Sequence, residues 1–353
     1  MPSSISSSDS RLPRDRWVAI GVAALIGVVL VLGSLEAILR AKGYEPCVTD
    51  DAALWALTRS VVGSSPDAVV LLGSSRMGCD INLDVFAETY GTKPMQLAVV
   101  HSTPIPILEN LANDEQFQGL AVCEVSPTMF FFNDDTWVWP AQHALKTYES
   151  MNRSPLAFAE KQCIVFLQSH LVFLGEELQL EDMVFGIPRG RWPIVANRFR
   201  ADRARFFDVS KKQTRYPEVA LPEDGPRTAP MTREEEGIVS AAASCVNRIR
   251  RRGGDVVFVY LPCSGLNKVW ETVRYPRQVY WDRLLAETQA VAVHADDDPE
   301  LARYVTNPKT DRSHLDYRDA AGFTRRLAQL LKERLRNRES RPGQDPTAQK
   351  GSA

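Results

Sequence analysis

The sequence predicts an α/β fold: a three-layer, doubly wound domain on a parallel sheet of about five strands, carried by one N-terminal transmembrane helix. Three observations lead there. Short runs that are apolar throughout alternate with longer segments of helical periodicity, as parallel strands covered on both faces require. One uncharged stretch near the chain start is long enough to cross a bilayer. At 353 residues, the chain can bury a large core without disulfides or a metal.

The uncharged stretch runs from Trp17 to Leu35. At 1.5 Å per residue it spans about 28 Å, close to the hydrocarbon thickness of a membrane. Trp17 marks one interface, and Arg40 and Lys42 mark the other. A cleaved signal peptide is the rival reading, but its apolar core is normally shorter and ends in a small-x-small site, which LEAILRAK does not offer. A buried soluble helix is the other rival. Arg11, Arg14 and Arg16 precede the span, against two basic residues after it, so the N-terminus is expected inside. That divides the chain into a cytoplasmic tail (1–16), a transmembrane helix (17–39), a linker or helix (40–65), a main domain (66–336) and a disordered polar tail (337–353).

Five apolar runs supply the strands: DAVVLL (67–72), MQLAVV (95–100), GLAVCEV (119–125), DVVFVYL (255–261) and, weakest, AVAVHA near 290–295. Helical patterns cover 104–113, 237–254, 275–289 and a final segment that Asp316 can cap. The stretch 237–254 closes on three arginines and two glycines, a helix stop. Residues 134–235 break the alternation. They read as an insertion with one or two helices over 154–185 and an irregular part after 186, serving as a lid, as a membrane-facing cap, or simply packing on the sheet.

The six cysteines show neither a C-x-x-C pair nor zinc spacing, and read as small buried side chains, with one disulfide open if the domain is exported. His143, His170 and His294 have no ligand-like spacing, so neither a metal nor another cofactor is expected. A formal net charge of −2 offers nothing to a polyanion, which sets nucleic acid aside.

Ligands of open α/β sheets bind beyond the carboxyl ends of the strands. Gly73-Ser74-Ser75-Arg76 follows the first strand, and His101-Ser102 the second. Glu124 and Ser126 follow the third, and Asp311-Arg312-Ser313-His314 precedes the last helix. These supply a nucleophile, a base and an orienting acid. A serine hydroxyl needs a base to take its proton, and an imidazole needs its second nitrogen held. Ser75, His314 and Asp311 are the candidates, with Gly73 permitting the turn and the Ser75 N–H able to face an oxyanion. Ser74, Arg76, His101 and Ser102 are candidate substrate or oxyanion groups. Each motif alone has an ordinary alternative: a helix-capping serine, a surface Asp–His pair, or a structural ion pair for Arg76.

Together the motifs resemble the SGNH (GDSL-like) hydrolases, of the membrane-anchored bacterial type. LLGSSRMG is similar to the variant first block in which G-S-S replaces G-D-S, so that Ser75 matches the nucleophile. DRSHLDYRDAAGFTRRLAQLL is similar to the last block, where Asp311 and His314 match the acid and base. The resemblance covers roughly 66–335 without the insertion. It implies a flavodoxin-like sheet and a Ser-His-Asp esterase or O-acyltransferase without cofactor. It further implies acylated carbohydrate or a cell-envelope polymer as substrate, envelope-assembly proteins as partners, and an extracytoplasmic domain. The family's glycine and asparagine oxyanion blocks have no counterpart here: Gln96 and His101-Ser102 stand near one, Glu124-Val125-Ser126-Pro127 at the other. A non-catalytic accessory protein and a structural membrane component are therefore the alternatives.

Overall fold

The computed structural model describes residues 14–132, 134–178, 181–211, 227–306 and 312–340. Asp311, residues 1–13 and the tail from 341 lie outside that description.

Helix α1 (Arg14–Ala41) comes first, and its Arg16–Ala41 stretch is apolar and long enough to cross a membrane, with the run from Arg16 to Ser34 exposed and burial beginning only towards Leu39. Asp51 caps α2 (Ala52–Ser60) through a bond from the Leu54 N–H. Then follow β1 (Val69–Leu72), α3 (Ser75–Asp80), α4 (Leu83–Tyr90), β2 (Met95–Gln96), α5 (Ile105–Asn113), β3 (Leu120–Glu124) and α6 (Pro127–Phe130). The insertion contributes α7 (Asp135–Asn152), α8 (Pro155–His170), β4 (Asn197–Phe199) and β5 (Arg205–Phe207). The chain returns through α9 (Arg233–Arg251), β6 (Asp255–Tyr260), α10 (Gly265–Arg274), α11 (Trp281–Thr288), β7 (Val291–His294), α12 (Pro299–Ala302) and α13 (Tyr317–Glu339).

The main sheet is all parallel, in the order β2-β1-β3-β6-β7. The chain steps from β1 to β2 and then crosses back to β3, so the winding reverses between β1 and β3. A crevice at their carboxyl ends is the consequence. The strands are apolar throughout because both faces are covered. Val70, Leu72, Cys123 and Phe258 face the core shared with α5, α9 and α11. Val69, Leu71, Val122 and Val257 face the core shared with α4 and α13. Burial on two faces erases the alternation a half-exposed strand would show.

Several elements differ from the sequence expectation. The segment 40–65 is part of the domain: Trp55 of α2 is buried in the first core and donates to the Leu97 carbonyl at 2.9 Å. The second strand pairs as a ladder only over Met95–Gln96, although the Leu97 and Val99 N–H groups still donate to Leu71 and Gly73. Helix α10 follows directly on β6, and its short amphipathic run is masked in sequence by Pro262 and Gly265. Helix α13 runs through Glu339, past the expected boundary at 336. No disulfide joins the six cysteines, and Cys163 is exposed on α8 rather than buried.

The insertion is packed on the domain. Helix α7 lies on α2 and α5, α8 on α2 and α7, and the antiparallel β4–β5 pair reaches α3 and α13. Its later part closes around the end of α1. Glu36 accepts the N–H groups of Val172 (3.0 Å) and Phe173 (3.2 Å), and Arg40 donates to the His170 carbonyl (2.7 Å). Leu39, Val172 and Leu178 form a small buried cluster there, flanked by Leu35, Tyr44 and Trp192.

Buried Arg203, between β4 and β5, ties the insertion to the sheet. It donates to both oxygens of Asp50 (2.5 and 3.0 Å) and to the carbonyls of Gln96 and Ala98 (2.7 and 3.0 Å). Removing one partner of a buried ion pair leaves an uncompensated charge. Arg203→Met is therefore expected to cost about 3–5 kcal/mol, read from the denaturant midpoint of the solubilised protein.

Candidate active site

The site starts at the turn leaving β1. Gly73 has no side chain because Glu124 fills that space: a β-carbon there would fall 2.6 Å from the Glu124 Cβ and 2.8 Å from the Met77 Cβ. Glu124 projects from the end of β3 and is fully buried. Its carboxylate accepts the Ser74 N–H (2.7 Å), the Ser74 hydroxyl (2.9 Å) and the Met77 N–H (3.2 Å). Burial pushes its pKa above the usual carboxylate range, while Arg76 and these donors pull it back. The Ser74 oxygen in turn accepts the Arg76 N–H (3.3 Å), capping α3. Ser74 is thus a capping and anchoring group, and Ser75 is left as the first residue of α3 at the mouth of the crevice.

Ser75 Oγ and His314 Nε2 lie 2.8 Å apart. Residues from three directions hold the histidine loop. Asp80, buried at the end of α3, accepts the Leu315 N–H (2.8 Å). Helix α10 reaches it from the opposite side: the Ser264 N–H donates to the Arg312 carbonyl (3.1 Å), and the Asn267 amide donates to Ser313 Oγ (3.0 Å). Phe207 of β5 sets its ring edge-on to the imidazole, centroids 5.5 Å apart. Asp311, the expected acid, lies outside the described residues. For Nε2 to accept the serine proton, the neutral ring must carry its own proton on Nδ1.

The other candidates are taken up elsewhere. Arg76 is buried and paired with Glu271 (2.5 Å), which also accepts the Tyr260 hydroxyl (2.9 Å). Ser102 is buried, donating to the Trp137 carbonyl (2.9 Å) and accepting the Ala141 N–H (3.2 Å) of α7. His101 is exposed, with its ring tilted against Trp137 at 6.0 Å. The Gln96 amide donates to the Met77 carbonyl (3.1 Å), bracing α3 from below. The Ser75 N–H has no hydrogen-bond partner among the described residues and stays available to a developing oxyanion. Cys263 is no rival nucleophile: burial, with Glu271 close by, pushes its pKa up to about 12.

No protein-family model matches the chain, and no curated protein matches it either. The geometry therefore carries the functional argument. Asp80, Phe207 and Asn267 were not legible as site residues, because each acts through the histidine loop from an element distant in sequence. From sequence Glu124 could orient either Arg76 or the turn, and its bonds are to the turn. Two concavities open on the domain, and neither is lined by Ser75 or His314. One, of about 200 Å³, is walled by Tyr260, Tyr275, Trp281 and His294. The other, of about 700 Å³, runs from Tyr44 near the end of α1 to Asp208 and Tyr317.

Two outcomes follow. Glu124→Ala strips the acceptor from three buried donors and is expected to cost about 2–5 kcal/mol, with loss of any Ser75 reactivity, in paired unfolding and active-site labelling measurements. His294 stacks on Tyr260 at 4.1 Å, and burial pushes its pKa from 6.5 down to about 4. Between those values the unfolded chain binds a proton that the folded chain refuses, so stability falls as pH drops from about 6.5 to about 4. His294→Phe should flatten that part of the stability–pH curve by about 2–3 kcal/mol, as read in urea titrations at pH 7 and pH 4.5.

Proposed function

We propose that this chain is a membrane-anchored, SGNH-type serine esterase or O-acyltransferase acting on acylated carbohydrate or a cell-envelope polymer outside the cytoplasm. One observation carries the reading: the Ser75 hydroxyl stands 2.8 Å from His314 Nε2 at the carboxyl-end crevice of a doubly wound sheet. That is the distance a nucleophile and its general base require.

In this reading Ser75 Oγ attacks the acyl carbonyl while His314 Nε2 takes its proton. The carbonyl oxygen becomes an oxyanion facing the Ser75 N–H. Collapse of the tetrahedral adduct breaks the bond to the alcohol, which leaves with the proton from His314. Water or a sugar hydroxyl then attacks the acyl-serine, again giving its proton to His314, and the adduct collapses to free Ser75 and product. Asp311 is the proposed partner of Nδ1. The aromatic cavity beside Glu271 offers flat faces against which a sugar ring can lie. The N-terminus is assigned to the cytoplasm and residues 40–353 to the far side.

A second reading has its own support. Ser74, Ser102 and Gln96 spend donors on the protein, leaving the Ser75 N–H as a backbone donor still uncommitted among the described residues. An accessory protein that binds acylated polymer without turnover fits that shortage, since losing one oxyanion donor costs about 100–1000-fold in rate.

The full chain in membranes is expected to label with a fluorophosphonate probe. Ser75→Ala should abolish labelling, and His314→Ala should slow it by about a thousandfold or more. Unlabelled wild type that also releases no acid from simple esters would favour the accessory reading. For topology, a reporter fused after residue 336 that works only in the cytoplasm should be silent.

A further inference from the structure

The insertion carries an apolar surface that neither the dyad nor the sheet explains. Helix α8 has its polarity inverted. Its inner face holds Lys161, buried against Asp51 (2.8 Å), and Gln168, bonded to Thr49 (3.0 Å). Its outer face holds Phe166 and Leu167, exposed by 62% and 46%. A helix on a water-facing surface has the opposite arrangement. The same surface continues through Leu174, Phe185 and Ile194, all exposed. Patches of this kind mark a contact with something apolar.

The attachment to α1 sets the height of this patch. The apolar run of α1 ends at Leu35, and the next residue, Glu36, holds the N–H groups of Val172 and Phe173. Arg40, one turn on, holds the end of α8. Leu35 and Leu39 pack with Met183, Ile187 and Trp192 in one cluster, so the 183–195 segment sits at the same level. Whatever the tilt of α1, these residues lie where its apolar span stops. The composition suits that place. Lys42 lies over the Trp192 ring at 4.9 Å, Tyr44 stacks on the same ring, and Arg189 and Arg191 are exposed beside Phe185. Aromatic rings and cations around exposed apolar side chains are what a headgroup boundary selects.

We infer that residues 166–178 and 181–194 seat on the lipid bilayer around the exit of α1, with Phe166, Leu174 and Phe185 dipping into the acyl boundary and Arg189 and Arg191 meeting anionic headgroups. The inference rests on the reading of α1 as a membrane span. It makes the insertion a second membrane contact that fixes the domain's orientation, where a single helix would leave it free to swing.

The full chain is reconstituted in vesicles of phosphatidylcholine and phosphatidylglycerol. p-Benzoylphenylalanine replaces one residue at a time: Leu30 in the span, Phe166, Leu174 or Phe185 in the patch, or Val61 at the far end of α2. After irradiation, lipid adducts at the three patch positions as abundant as at Leu30, with none at Val61, support the seat. Lipid adducts at Leu30 alone overturn it and leave the span intact. Protein adducts in place of lipid at the patch also overturn it, pointing to a protein docking there. No lipid adduct at Leu30 removes the span reading and the seat together.

Discussion

A single buried carboxylate organises the end of the sheet on which the rest of the site is built. Glu124 leaves β3 and crosses beneath the turn after β1, where it gathers two backbone N–H groups and one hydroxyl. Those donors belong to the first turn of α3, where they have no helical partner of their own. Without Glu124 they would be stranded in an apolar core. With it, the start of α3 is fixed over the gap between β1 and β3, and Ser75 cannot drift from the crevice mouth. Gly73 is the complement of that arrangement, since any side chain there would occupy the volume Glu124 uses.

Everything else near the dyad acts on the second half of the problem, the placement of His314. That loop is far from Ser75 in sequence, and loop closure alone would leave it many positions to sample. Asp80 ties it to the helix that begins with Ser75, so His314 is referred to the same rigid element that carries Ser75. Asn267 and Ser264 tie it to the helix after β6, and Phe207 closes the third side. The Arg76–Glu271–Tyr260 cluster stiffens the crevice behind the nucleophile. A buried ion pair contributes little net stability, but breaking it is costly, so it holds its residues in one arrangement.

Much of this was legible in the sequence because the strands are short, apolar and separated by helical periodicity. The five runs, their order of occurrence and the residues at their carboxyl ends follow from that pattern, and the pairing of Ser75 with His314 was expected from the residue types at those places together with the family resemblance. What stayed hidden was set by contacts across long separations. Ser102 and Arg76 look like site residues by position, yet packing with α7 and α10 claims their polar groups. Glu124 at a strand end could serve Arg76 or the turn, and only the folded contacts decide for the turn. The β4–β5 pair lies in an Arg- and Pro-rich stretch whose strands are three residues each, too short for alternation to register.

The insertion then acquires a physical reason beyond packing. Arg203 carries Asp50 to the carbonyls of Gln96 and Ala98, at the carboxyl end of β2, and the Val48 N–H donates to the Phe199 carbonyl. The chain leaving α1 therefore joins the domain at the carboxyl end of the sheet, one strand over from the one that leads to Ser75. The hairpin that makes this junction also delivers Phe207 to His314. Helix α1 and the Ser75–His314 pair are thus connected by a few buried polar contacts, and a displacement of α1 relative to the domain would have to break the Glu36 and Arg203 bonds first. A helix bonded in this way transmits orientation: the carboxyl end of the sheet keeps a set direction relative to the axis of α1.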